Sequence, residues 1–545
     1  MKSASLPVHH QQHMTPLLPS KTFQDVRQAL LSQQEIALID VREEGPFAQA
    51  HPLFAANFPA GRIELDAWSR IPRRSTPLVV YDNGEGLVET VARTLQQLGY
   101  TDVALLQGGL PGWRCAGGEV FKDVNVPSKA FGELVESQRH TPSLSAEEVK
   151  SLLDQQANVV VLDARRFDEY QTMCIPSGIS VPGAELLLRA QALAPSPSTR
   201  IIVNCAGRTR SIIGTQSLAN AGIPNPVSAL RNGTIGWKLA GQVLEQGASR
   251  RFTDIAERQR LHAALLAREV ADRAGVRRAQ WMDLAHFAAD VTRTTYLFDV
   301  RTPEEFIAGH LPGFCSAPGG QLVQETDVSA PVRGARMVLV DSDGVRANMS
   351  ASWLAQMGWE VWVLDATPFT DFNEAGPQVL ALPAPEGPIE WVSSTQLSQW
   401  LAQEPAGHTA VLDLASSAHY VQHHIPGAWF VLRSELAQAI KRMPLAQRYV
   451  LTCGNSLLAR YAVAELARLK GIDVLVLQGG TQAWIEAGFA LEHGETHLVS
   501  SRIDRYRRPY EGTDNPREAM QGYLDWEFGL MAQLERDGTH GFQVL

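Results

Sequence analysis

Cysteine is scarce in this chain of 545 residues. There are five, Cys115, Cys174, Cys205, Cys315 and Cys453, and no two form a C-x-x-C pair. A small odd number excludes a disulfide framework and fits free thiols in a reducing compartment. Long apolar runs are missing too, so a bilayer-spanning segment is not expected. Residues 1–20 carry His9, His10, His13 and three prolines but no apolar core, and they read as a flexible tail rather than a targeting signal. Positive charge is in deficit, with a net charge of −10, which disfavours a general nucleic-acid partner. No Cys, His or acidic group has metal-ligand spacing. The expectation is a soluble, cytoplasmic protein without metal or organic cofactor, without nucleic-acid or membrane partners, and of open oligomeric state.

What the sequence has is repetition. Strand-like runs end in Asp40-x-Arg42, Asp163-x-Arg165 and Asp299-x-Arg301, and a fourth ends at Asp413 with Ala415 in the place of arginine. A second apolar strand follows each, at 77–81, 200–204, 337–340 and 449–452. The residue after it is Asp82, Cys205, Asp341 or Cys453, which lies 42 positions beyond the first aspartate in three copies and 40 in the fourth. Pro176, Pro312 and Pro426 recur 13 positions after that aspartate, whereas the first copy has a divergent loop over 51–59. Gly-Gly-Leu-Pro-Gly-Trp113, Asn-Gly-Thr-Ile-Gly-Trp237 and Gly-Gly-Thr-Gln-Ala-Trp484 close three copies, and the third copy runs on through 363–368 without this ending. Strands alternating with helical stretches indicate an α/β fold of four tandem units, each a parallel sheet flanked by helices. Ligands of such sheets bind beyond the carboxyl ends of the strands, where Asp82, Cys205, Asp341 and Cys453 fall.

The stretch Asn204-Cys205-Ala206-Gly207-Arg208-Thr209-Arg210-Ser211 is the candidate catalytic loop. A buried strand delivers a thiol to a helix N-terminus, where backbone N–H groups and the helix dipole favour negative charge. Arg208 and Arg210 add full charges, so the thiol is expected to ionise more easily than a free cysteine. The loop residues Ala206, Gly207, Arg208, Thr209, Arg210 and Ser211 form the candidate substrate-binding set for a small anion. Cys453 heads a second loop, but no cation falls within its six residues, and Arg460 lies one turn into the helix. Cys174 takes the slot held by His310 and His424 and reads as a turn substitution; Cys115 and Cys315 lack activating neighbours.

The Asp-x-Arg strand, the His-x-Pro-Gly-like turn, the strand–Cys–loop–helix and the Gly-Gly-x-x-x-Trp ending resemble the rhodanese family over nearly the whole chain. That resemblance implies a sulfurtransferase. Its loop cysteine takes a sulfane sulfur from a donor such as thiosulfate, holds it as a persulfide, and passes it to cyanide or a thiol, including a protein acceptor. It further implies that Cys205 and Cys453 are catalytic and that the copies with Asp82 and Asp341 are inactive. Cys453-Gly454 and Ala459 are more similar to the mercaptopyruvate-specific branch. Two rival readings remain: a non-catalytic scaffold of rhodanese-like units, and a cysteine-dependent phosphatase, which needs an arginine where Ser211 stands. The expected division is a tail at 1–19, units at 20–122, 140–248, 276–380 and 388–492, a helical bridge at 249–275, and a C-terminal extension at 493–545. Residues 126–140 read as a polar linker, 381–388 as a plain one, and Leu261, Leu265 and Val270 as one apolar face of the bridge. The extension reads as a segment packed over the other units.

Overall fold

Each of the four units forms a five-stranded parallel sheet in which the first strand pairs with the fifth, the fifth with the fourth, the fourth with the second and the second with the third. The computed structural model describes residues 18–365, 369–470 and 473–545. The tail up to residue 17, with its three histidines, and part of the 363–368 stretch lie outside the described residues. In the second unit the strands are Ser143–Leu144, Val159–Asp163, Ile179–Ser180, Arg200–Asn204 and Val227–Leu230. The central strand Arg200–Asn204 is buried along Ile201, Ile202 and Val203, the β-branched run expected of a strand covered on both faces. No helix among the described residues is long and apolar enough to cross a membrane.

The recurring sequence marks have physical reasons. Asp40–Arg42, Asp163–Arg165 and Asp299–Arg301 are buried ion pairs, and each arginine also donates to a backbone carbonyl eight residues on. Each pair satisfies otherwise orphaned backbone at a strand end. In the fourth unit Asp413 keeps its burial but has no arginine, and burial pushes its carboxyl up to about 6. The glycine of the closing motif is also explained. Gly233 has a φ of +55°, and a Cβ there would stand 2.3 Å from the Cys205 carbonyl oxygen. That close approach lets Thr234 N–H donate to the same carbonyl at 2.9 Å. Leu110 N–H does so to Asp82, and Thr481 N–H to Cys453. The Trp113, Trp237 and Trp484 indoles then donate to carbonyls six residues on, fixing the turn.

Three expectations need correction. The segment read as a polar linker is the helix Val126–Arg139, and its first ten residues are buried, Lys129 and Glu133 included. Its polar residues look inward because they are paired there: Lys129 lies 2.6 Å from Asp123 and faces the rings of Tyr510, Tyr523 and Trp526. The bridge is indeed helical over Glu257–Arg273, but Leu261 and Leu265 are exposed. Its buried face is Ala263, Ala267, Val270 and Ala271, small residues that permit close approach to Leu186–Leu193 and Arg346–Gln356. The divergent loop of the first unit conceals a conserved place in the fold. His51 pairs with Phe121 as Cys174 does with Glu245, His310 with Glu374 and His424 with Glu492, each 11 residues after the strand-end aspartate.

The C-terminal extension contains the 21-residue helix Arg517–Asp537, which packs on Val126–Arg139 and on Gly233–Leu239. It thereby covers one side of the Cys205 loop.

Candidate active site

Cys205 follows the last residue of the central strand and is 2% exposed. Its thiol donates to Ser211 Oγ at 3.4 Å, and Ser211 Oγ donates onward to the Arg208 carbonyl at 2.8 Å. Helix Thr209–Asn220 begins within the loop, so the thiol faces a helix N-terminus. Burial pushes the Cys205 thiol above its ordinary value; Arg210 and the Ser211 hydrogen bonds pull it down, and Glu527 adds to the upward push. The net direction is opposite to the sequence expectation because burial outweighs Arg210 and the Ser211 hydrogen bonds.

Arg208 turns away from the thiol. Its guanidinium meets Glu133 Oε1 at 2.7 Å, is paired with Glu136, and stacks over Phe528 at 4.2 Å. Arg210 forms a two-pronged pair with Glu169 at 2.8 Å. Although burial works against it, Arg210 holds the Glu169 carboxyl at about 2. Arg210 is nevertheless the cation that faces Cys205, and both Cys205 and Tyr510 favour its charged form. Thr209 Oγ1 meets Glu527 Oε1 at 3.5 Å, Ala206 is buried, and Gly207 lies under Tyr523, whose ring would stand 3.0 Å from a Cβ there.

The sister loops reveal what this turn is shaped to hold. In the first unit the Asp82 carboxylate accepts from Gly84 N–H at 3.0 Å and Leu87 N–H at 2.8 Å. In the third, Asp341 accepts from Gly344 N–H at 2.9 Å and Ala347 N–H at 2.7 Å. Each loop closes as a cradle of backbone donors around a carboxyl group, and burial with Asp343 pushes that of Asp341 up to about 7. Around Cys453 the donors are the N–H groups of Ala459, Leu458 and Asn455, which oppose the upward push of burial on that thiol.

Glu169 is a residue beside the loop that the sequence reading missed, although a signal exists. It stands six residues after Asp163 and pairs with the sixth loop residue, Arg210; Glu305, six after Asp299, pairs likewise with Arg346. Where the sixth loop residue is Leu87 or Leu458, the acid is replaced by Pro46 or His419. Cys174 is buried with its thiol pushed up to about 11 by burial and by Glu245. Cys315 is half-buried and likewise pushed up by burial, while Cys115 is exposed.

The sequence pattern of the rhodanese-like domain matches residues 22–116, 145–240, 282–366 and 393–487. The chain belongs to the rhodanese family. A thiosulfate sulfurtransferase from Pseudomonas aeruginosa, known from its crystal structure, is 66% identical over 97% of this rhodanese and 100% of its own chain, with a TM-score of 0.95. The thiosulfate sulfurtransferase YnjE of Escherichia coli is 28% identical over 134 residues. That match spans 21% of this chain and 31% of the length of YnjE. The C-terminal segment 493–545 lies outside all four matched stretches of this rhodanese.

Proposed function

We propose that the chain is a rhodanese-type sulfurtransferase that moves a sulfane sulfur from a small anionic donor, thiosulfate being the type case, to cyanide or a thiol through a persulfide on Cys205. The observation that carries this reading is the anion cradle: Cys205 occupies the position at which the sister loops bind a carboxylate, with Arg210 beside it. In the proposed first step the Cys205 thiol gives up its proton and the thiolate attacks the outer sulfur of thiosulfate. A new S–S bond forms, the old one breaks, and its electron pair leaves with sulfite. Arg210 stabilises the departing charge, while the loop N–H groups receive the persulfide anion. The acceptor then attacks the outer sulfur and returns the Cys205 thiolate. Because burial raises the thiol, turnover should climb with pH.

In this reading units 1 and 3 are structural, since a carboxylate already fills each cradle and cannot carry sulfane sulfur. Cys453, held by backbone donors alone, serves a less charged donor or a protein-bound persulfide. Arg208, with Ala206, Gly207, Thr209 and Ser211, shapes the loop around the donor. A phosphatase is disfavoured, because Ser211 stands where a seven-residue loop needs its arginine. The unit boundaries at 20–122, 140–248, 276–380 and 388–492 and cytoplasmic residence belong to the same proposal. The test is steady-state turnover of thiosulfate and of 3-mercaptopyruvate by the wild type, Cys205→Ser and Cys453→Ser. Cys205→Ser should lose thiosulfate turnover and Cys453→Ser should keep it; the reverse would overturn the assignment.

A further inference from the structure

A cavity of about 350 Å³ opens beside Arg210. Its walls come from the second unit, through Arg166, Glu169 and Arg210, and from the C-terminal extension, through Arg505, Arg508 and Tyr510. The extension therefore walls the chamber onto which Arg210, the cation facing Cys205, opens. Two of its groups are poised for a ligand. Tyr510 is half-buried, and among the described residues its hydroxyl has no hydrogen-bond partner, although the ring packs edge-on against Tyr523 at 5.1 Å. Arg508 is the most loosely paired arginine of the wall: its carboxylate contacts are Glu44 at 3.3 Å and Glu511 at 3.7 Å. The others are tightly held, Arg165 by Asp163 at 2.7 Å, Arg166 by Asp168 at 2.9 Å, Arg210 by Glu169 at 2.8 Å and Arg505 by Glu511. Of the acids on the wall, Asp168, Glu169 and Glu511 are held by these arginines, and Glu325 interacts with Arg508. A guanidinium held by one hydrogen bond of 3.3 Å, to Glu44, gives up less in taking a new oxyanion than one in a short ion pair, and a phenol hydroxyl without a partner among the described residues can donate to it.

We propose, on the reading of Cys205 as the sulfur-accepting thiol, that Arg508 and Tyr510 are specificity-determining residues that hold the sulfonate end of the donor while its sulfane sulfur faces Cys205. The oxyanion end of thiosulfate sits between Arg210, Arg508 and the Tyr510 hydroxyl. When the S–S bond to the sulfonate breaks and its electron pair leaves, the same three groups hold the sulfite until it exits.

The test compares the full-length wild type with Arg508→Gln, Tyr510→Phe and Glu44→Gln. Glu44→Gln weakens the same bridge from the extension to the first unit while keeping the cation. Thiosulfate and benzenethiosulfonate, a singly charged donor, are the two probes. Arg508→Gln and Tyr510→Phe should each raise the thiosulfate KM about five- to tenfold with kcat within about twofold. For Arg508→Gln the rise should be smaller with benzenethiosulfonate, and Glu44→Gln should leave both KM values near those of the wild type. The proposal falls alone if the wild type turns over thiosulfate but Arg508→Gln and Tyr510→Phe leave its KM unchanged. It falls alone also if Glu44→Gln raises KM as much as Arg508→Gln, since docking of the segment would then explain the effect. Wild-type protein that acquires no sulfur on Cys205 from thiosulfate would instead overturn the underlying reading.

Discussion

Breaking the Arg210–Glu169 pair from either side should move the Cys205 thiol in opposite directions. Arg210 is the cation facing the thiol, and Glu169 offsets it through a two-pronged contact at 2.8 Å. At an effective dielectric of about 20, a unit charge about 5 Å away contributes roughly 3 kcal/mol, and the opposed carboxylate removes about half of that. The remainder, about 1.4 kcal/mol, corresponds to one pKa unit. Arg210→Ala removes the whole of the roughly 3 kcal/mol and leaves Glu169 unpaired beside the thiol, so it should raise the thiol by about two units. Glu169→Gln should lower the thiol by about one unit, since it leaves the cation unopposed. The assay is alkylation by iodoacetamide, an uncharged reagent, across a range of pH, with the Cys205 peptide quantified by mass spectrometry. Below the thiol pKa the rate follows the thiolate fraction, so near neutral pH Arg210→Ala should react about a hundredfold more slowly and Glu169→Gln about tenfold faster than wild type. Shifts of the same sign in both variants, or no shift in either, would refute the electrostatic account of the site.

Arg208→Ala should act on stability more than on chemistry. It strands the buried Glu133 and lowers unfolding stability by about 3 kcal/mol in thermal scans, while raising the thiosulfate KM less than Arg210→Ala does. Ala415→Arg should supply the missing partner of Asp413, at present 1% exposed and with its carboxyl raised to about 6. A carboxyl raised by the fold favours folding below about pH 4 and loses that contribution as pH climbs through about 6, so wild type gives up about 3 kcal/mol across this window. In Ala415→Arg, amide exchange protection of Val411 and Leu412 should no longer fall over the same range, and an unchanged fall would count against the pairing. Asp341→Cys in a Cys205→Ala background should show less than about a hundredth of wild-type thiosulfate turnover, because Asp343 lies beside the new thiol and Arg346 is held by Asp343, Glu185 and Glu305. Turnover near the wild-type rate would mean that the third cradle is a working site.

The four sheets and the strand-end position of both loop cysteines were legible because they rest on local order: a strand-end aspartate and a second strand at a fixed interval. The same order made the cradle readable, since Asp82, Asp341 and the two cysteines fall at one place in the repeat. What was not legible depends on partners distant in sequence. Arg208 looks like a substrate cation until Glu133, 75 residues upstream, claims it. The helix Val126–Arg139 reads as a polar linker because its charged residues are matched only by tertiary neighbours, Lys129 by Asp123 and Glu133 by Arg208. His51 was hidden because its proline, Pro52, stands one position earlier than in the sister units and no glycine follows it, although its place in the fold is the same. Burial of Cys205 under Arg517–Asp537 had no local signature either; Tyr523 and Glu527 reach the loop from more than 300 residues away.

The central claim is that Cys205 carries the transferred sulfur. Its most direct test is the mass of the Cys205 peptide after brief incubation of the full-length protein with thiosulfate, with Cys453 followed in parallel. Cys205 should gain about 32 Da, one sulfur atom, before any appears on Cys453, and cyanide should remove it, because the thiolate is the form that takes up the sulfur. Turnover without sulfur on Cys205, or loading of Cys453 first at low salt, would contradict it.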